Sequence, residues 1–236
     1  FQDIFNNHDL NDFYLNIQIN NSKVLYNGGG NIFNSNTEFS GEQSNINEGF
    51  TDEIKGKYIL KQSFSEYFFP EGDFIIQGES EILYNIIEDD NGFSKIEGLG
   101  NLENLNLKSD FLGPNLDFNN GKLRFLIRPY DNSFSGFADI KTNNLNVEVN
   151  SIFNLTKLIE LDVQTFKSPK QDFNLKYEGE NNKFLINADK LSLDSIDIFE
   201  EDNLKIENFE LDLKINDFKI GDMKFSNSII YAKKLN

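Results

Sequence analysis

Cysteine and tryptophan are absent from the 236 residues, and histidine and methionine occur once each. Without cysteine there can be no disulfide, no thiolate metal site and no cysteine nucleophile. Any Ser-His-Asp arrangement would have to use His8, which lies between Asn7 and Asp9. Phe1, Ile4, Phe5 and His8 fall at the spacing of a short amphipathic helix, and His8 there reads as an ordinary polar residue. Basic residues are scarce: 22 Lys and Arg face 39 Asp and Glu, for a net charge of −17. Such a chain repels nucleic-acid phosphates and anionic membrane surfaces. No apolar run nears the roughly 18–20 residues that cross a bilayer as a helix, and no basic-then-apolar leader opens the sequence. Gly/Ser and Pro-rich linkers are missing, and so is a strict repeat. The lone methionine is Met223 and the first residue is Phe1, so we expect a segment of a longer or processed protein.

Phenylalanine, in contrast, is abundant, with 24 copies. The apolar residues alternate with polar ones. Phe209, Leu211, Leu213 and Ile215 occupy every second position, with Glu210, Asp212 and Lys214 between them. In a strand, successive side chains point to opposite faces, so this stretch has one apolar and one charged face. Leu191 and Leu193 repeat the pattern. Phe218 and Ile220, then Gly221-Asp222, then Met223 and Phe225 read as strand, turn, strand. Similar strands are expected over 13–19, 23–26, 37–43, 57–64, 122–128, 134–141, 145–149, 161–166 and 173–177. Residues 73–87 and 93–108 read as a long hairpin about the turn Glu88-Asp89-Asp90-Asn91-Gly92, with Gly78 and Gly98 marking bulges or bends.

Asn27-Gly28-Gly29-Gly30-Asn31 predicts a turn with positive φ. Ser151 is placed as the N-cap of a short helix carrying Ile152, Leu155 and Ile159 on one side. The prolines, at 70, 114, 129 and 169, are all expected in breaks, because proline cannot donate to a ladder. Helical crossovers have almost no room, so the sheet should be antiparallel. The expected fold is all-β: one elongated domain over 1–236, a long twisted antiparallel sheet rolled into an open gutter, with at most one or two short helices.

The candidate sites are few. Carboxylate pairs can hydrolyse glycosides, but 39 acidic residues create pairs by chance, and none is set among apolar neighbours that would raise a pKa. The acidic turns at 88–92 and 200–203 do not have the spacing of a calcium loop. Gly28-Gly29-Gly30 lacks the Lys-Ser/Thr of a phosphate loop. No cofactor and no metal is expected. The one-sided apolar face remains, and it has two readings. It is the core between two packed sheets, or the floor of an open groove for lipid chains. The first makes the chain a structural or adhesive module with a closed core.

The phrase Phe209-Glu-Leu-Asp-Leu-Lys-Ile-Asn-Asp-Phe-Lys-Ile-Gly-Asp-Met-Lys-Phe225, with Asn181 to Leu193 before it, resembles the C-terminal regions of the AsmA-like proteins of the Gram-negative envelope, including the YhdP- and TamB-type members. The likeness is clearest over the last fifty or so residues. It implies a periplasmic segment of a parent anchored in the inner membrane. Its β-groove would carry phospholipid between inner and outer membranes without catalysis. On that reading Phe125, Ile127, Leu145, Val147, Leu191, Leu193, Phe209, Leu211 and Leu213 line the groove.

Overall fold

A computed structural model describes residues 11–20, 23–32, 35–44, 51–68, 74–89, 92–109, 112–118, 120–154, 156–193 and 209–234. The expected helix around His8, the tip at 90–91 and the acidic stretch at 200–203 lie outside these residues.

The strands come in chain order. The first group is β1 (Asn11–Asn20), β2 (Lys23–Ile32), β3 (Ser35–Ser44) and β4 (Thr51–Lys61), followed by helix α1 (Gln62–Phe68). Next are β5 (Ile75–Gln77), β6 (Glu79–Asp89), β7 (Gly92–Asn101), β8 (Asn106–Ser109) and β9 (Gly113–Asp117). Then come β10 (Lys122–Tyr130), β11 (Ser133–Lys141), β12 (Asn146–Phe153), β13 (Leu158–Lys167), β14 (Asp172–Glu178) and β15 (Lys183–Leu193). The last two are β16 (Phe209–Ile220) and β17 (Met223–Lys234).

Fourteen of these form one sheet in the order β1-β2-β3-β4-β6-β7-β10-β11-β12-β13-β14-β15-β16-β17. The remaining three, β5-β8-β9, make a small second sheet. The large sheet is not closed into a barrel: β1 and β17 are its two edges. Neighbours pair antiparallel at every junction except one. β15 and β16 run parallel, with Phe184 beside Leu211 and Ile186 beside Leu213. The fully antiparallel expectation is corrected there. A parallel pair needs a crossover instead of a hairpin, and the alternation on each strand is blind to that choice.

Several local expectations also change. No turn interrupts 27–31: β2 runs straight through, paired as Gly28 with Phe39 and Gly30 with Thr37. The glycine is needed for space, since a Cβ on Gly28 would lie 2.6 Å from the Phe39 ring and 2.5 Å from the Tyr14 carbonyl oxygen. Ser151 caps no helix. It sits inside β12, between Gly136 and Leu161 of the neighbouring strands. The hairpin expected from 73 to 108 breaks at Gly78, whose φ of 88° is left-handed. There the chain leaves β5 in the small sheet and enters β6 in the large one. Pro114 and Pro129 lie within β9 and β10. Pro129 is past the last β10–β7 pair, Ile127 with Ile96, so its missing N–H serves one ladder fewer.

The small sheet covers part of the large one. Leu102, Leu105, Leu112, Leu116, Phe118 and Leu145 are buried with Ile82 of β6. Tyr58, Leu60, Leu123, Phe125, Ile140, Val147 and Phe166 of the large sheet pack against them. Helix α1 ties the two sheets: its Ser63 hydroxyl bonds the Ser35 hydroxyl of β3 at 3.0 Å, and its buried Ser65 hydroxyl accepts the Ile76 N–H of β5 at 3.1 Å. A second buried cluster lies on β15 and β16, formed by Ala188, Leu191, Leu193, Leu213, Ile215 and Phe218.

Candidate functional site

Residues directly opposite one another on paired strands present their side chains on the same face. The registers can therefore be followed from edge to edge. One row starts at Ile17 and passes Tyr26, Gly41, Ile54, Ile86, Ile96 and Ile127. It continues through Gly136, Ser151, Leu161, Tyr177, Phe184 and Leu211 to Ala232. Every one of the fourteen strands contributes, and no residue in the row is charged. The next row on the same face runs Leu15, Gly28, Phe39, Gly56, Tyr84, Gly98 and Phe125. It then runs Ala138, Val149, Val163, Leu175, Ile186, Leu213 and Ile230. It too is uncharged throughout. Fourteen strands at ~4.8 Å spacing make these rows roughly 60 Å long.

The second row alternates glycine with rings in its first half. Phe39 sits over Gly28, Tyr84 over Gly56 and Phe125 over Gly98; in the first row Tyr26 sits over Gly41. In each case a Cβ on the glycine would enter the ring's van der Waals envelope. Glycine in a strand forgoes packing of its own. Here the partner's ring fills the space, the pairing used to rescue strand glycines. Sequence reasoning read Gly98 as a bulge or bend and did not see that Phe125 of β10, three strands further along the chain, supplies a cover.

Burial along the face is uneven. It is complete under the small sheet and at the β15–β16 cluster. It is intermediate along the first row between them, at Ile86, Ile96, Ile127, Leu161, Tyr177, Phe184 and Leu211. At the edges the face opens to solvent: Ile17 is 56% exposed, Ile19 78% and Met223 53%.

The nine residues expected to line a groove divide accordingly. Phe125, Ile127, Val147, Leu191, Leu193, Phe209, Leu211 and Leu213 share this face. Phe125, Ile127, Val147, Phe209 and Leu211 are half-buried, whereas Leu191, Leu193 and Leu213 belong to the buried cluster. Leu145 stands apart. It precedes β12 in a turn closed by its N–H to the Thr142 hydroxyl at 2.8 Å, and it is buried under the small sheet. Leu15, Ile17, Tyr26 and Tyr84 were missed, because their place on the face depends on registers that alternation alone does not give.

Most of the charge lies on the opposite face; Asp52 and Lys234 share the apolar face but lie beyond the two rows. Lys23 pairs with Glu42, Lys57 with Glu38 at 3.0 Å and Lys167 with Asp172 at 2.9 Å. Such exposed pairs contribute little each. Asp139 is different, being 2% exposed. Arg124 holds it by Nε at 2.8 Å and Nη2 at 2.6 Å, and Lys141 Nζ lies at 3.1 Å. The Arg124 hydrogen bonds, with Lys141 assisting against burial, hold the Asp139 carboxyl below its usual range. Glu53 is lowered too, by Lys55 first and Asn85 second. A general acid at neutral pH needs a raised carboxyl, and both of these shift the other way.

Three phenols stand on the apolar face. Tyr26 donates to Asp52 Oδ1 at 2.6 Å, and burial followed by that carboxylate pushes its pKa well above the usual value. Burial raises Tyr58 and Tyr84 as well. All three are neutral at physiological pH and add no charge to the rows. Among the described residues no cluster of His, Asp or Glu could hold a metal ion, and no helix is long and apolar enough to cross a membrane.

The molecule is thus an all-β protein built on an open, mostly antiparallel sheet with one groove-like apolar face. No family model, curated protein or solved structure matches the chain.

Proposed function

We propose that the apolar face is a binding track for the acyl chains of phospholipid. On this reading the chain is a non-enzymatic lipid-transfer segment of an AsmA-like periplasmic protein. Its parent is anchored in the inner membrane and serves outer-membrane biogenesis by passing lipid between the two membranes. The observation that supports the reading is the pair of uncharged rows from β1 to β17, exposed where they begin on β1 and half-buried where they end on β17. A smooth apolar strip lets a chain slide with little change in contact. Each CH₂ withdrawn from water contributes about 0.8 kcal/mol. The polar headgroup would remain in solvent, so no charged pocket is required on the strip.

A second reading has its own support. The small sheet and the connections beside it seal part of the face with Leu102, Leu105, Leu116 and Phe118, as they would in a structural or adhesive module with a closed core. Native purification of the chain followed by lipid extraction and mass spectrometry separates the two. Stoichiometric phospholipid is the expected result. A lipid-free chain with its strand content intact would refute the track and leave the structural module.

A further inference from the structure

The two edges of the large sheet are guarded differently. An edge strand offers unpaired N–H and C=O groups to any other strand, and proteins commonly protect it with lysine, proline or a bulge. β17 carries Lys224, Lys233 and Lys234, and Asn227 within it has a left-handed φ of 52°. β1 contains neither lysine nor proline. Its irregularity is confined to the start, where Asp12 has a φ of 53° and the register shifts between Asn11 and Tyr14. From Tyr14 to Asn20 it is regular, uncharged and exposed at every residue.

We propose that β1 is a homodimerisation strand: two copies of this chain pair antiparallel through it and fuse their large sheets into one. The stretch is self-complementary. With the two-fold axis at Ile17, Leu15 lies opposite the partner's Ile19, and Asn16 lies opposite the partner's Gln18. Apolar residues then meet on one face and amides on the other, as cross-strand pairing favours. The uncharged seam also keeps acidic groups out of contact between two copies that each carry −17. The same operation on β17 brings Lys224 of one copy near Lys233 and Lys234 of the other, which opposes it. Two-fold dimers are the commonest symmetric assembly. An edge-on contact is at the small end of the size range, so the dimer forms in a concentration-dependent equilibrium. Since Ile17 begins the first apolar row and faces its own copy across the axis, the pairing joins that row to its counterpart, while Leu15, at the head of the second row, meets the partner's Ile19; the dimer itself does not depend on lipid.

Sedimentation of the lipid-extracted chain should give an average mass rising with concentration from 27.2 kDa toward twice that value. The variant Asn16→Lys/Gln18→Lys, altered only on the exposed polar face, should stay at one chain. In this cysteine-free sequence, Ile17→Cys should oxidise to a covalent dimer and Ile229→Cys, on β17, should not. A wild-type mass fixed at one chain overturns the proposal. So does undiminished dimerisation of the double-lysine variant, or growth beyond two chains with crosslinking through Ile229→Cys. The cysteine pair decides the matter even if the lysine variant fails to fold.

Discussion

Gly98→Ala tests the register of the apolar face at one of its crowded points. Gly98 is paired with Phe125, and a Cβ there would overlap the Phe125 ring and lie 2.9 Å from the Leu83 carbonyl oxygen. Carbon atoms in contact normally sit about 3.5–4.0 Å apart, so the ring has to swing away by more than about 1 Å. Phe125 packs against the buried cluster under the small sheet, and displacement into it is an overpacking event worth about 1–3 kcal/mol. Removing a strand glycine recovers about 0.5–1 kcal/mol of backbone entropy. The net loss is therefore about 1 kcal/mol at the middle of these ranges and at most about 2.5 kcal/mol, or a fall of up to roughly 10 °C in Tm for a chain of this size. In a Phe125→Ala background the obstruction is gone, and Gly98→Ala should become neutral or slightly stabilising. The double-mutant cycle, read by far-UV circular dichroism in urea, should return a coupling of about 1–3 kcal/mol. Additive effects of the two substitutions would refute the ring-over-glycine arrangement.

Leu211→Asp puts a charge in the first row at a half-buried position; it should abolish phospholipid retention while the circular dichroism spectrum is preserved, and global unfolding would mark Leu211 as part of a closed core. Asp139→Asn should lower stability at neutral pH by about 1–3 kcal/mol, toward the lower figure because Arg124 is 57% exposed and water competes for it. The folded Asp139 carboxyl is lowered, so its contribution is complete above the ordinary carboxyl value and disappears as pH falls through the lowered one. The variant's stability curve should lack that acid limb, and parallel curves for both proteins would contradict the ion-pair assignment. The Tyr26, Tyr58 and Tyr84 phenols are raised, so they stabilise the fold below the ordinary phenol value near ~10 and lose that contribution as pH climbs through their folded values. Spectrophotometric titration should show a late class of tyrosines that unfolds the sheet as it ionises, and Tyr26→Phe should remove one phenol from it.

Alternation made the strands legible because a period of two is local. Phe209 to Ile215 can form one apolar face whatever lies beside it. Partner choice is not local. The parallel join of β15 to β16 depends on a connection, and the registers that align Ile17 with Leu211 depend on every strand between them. Glycine misled in both directions. Gly28 and Gly29 looked like a turn but make room for Phe39 and Tyr14, whereas Gly78, read as a bend within one strand, is where the chain changes sheet. Ser151 looked like a helix cap because Ile152, Leu155 and Ile159 happen to fit a helical spacing; the β12–β13 hairpin overrides it. The small sheet was the hardest to see. Its strands have three to five residues, too short for a pattern, and Leu102, Leu105, Leu112 and Leu116 resemble any other leucines until they are found over Ile82.

Site-specific photocrosslinking to acyl-labelled phospholipid tests the track most directly. A photoreactive residue at Leu211 or Ile127 faces the apolar rows, and one at Asp212 or Arg128, a single position further on, faces the charged side. Labelling should follow that alternation, strong at 127 and 211 and near background at 128 and 212. Equal labelling of neighbours, or none at any of the four in a folded chain, would contradict a lipid-bearing face.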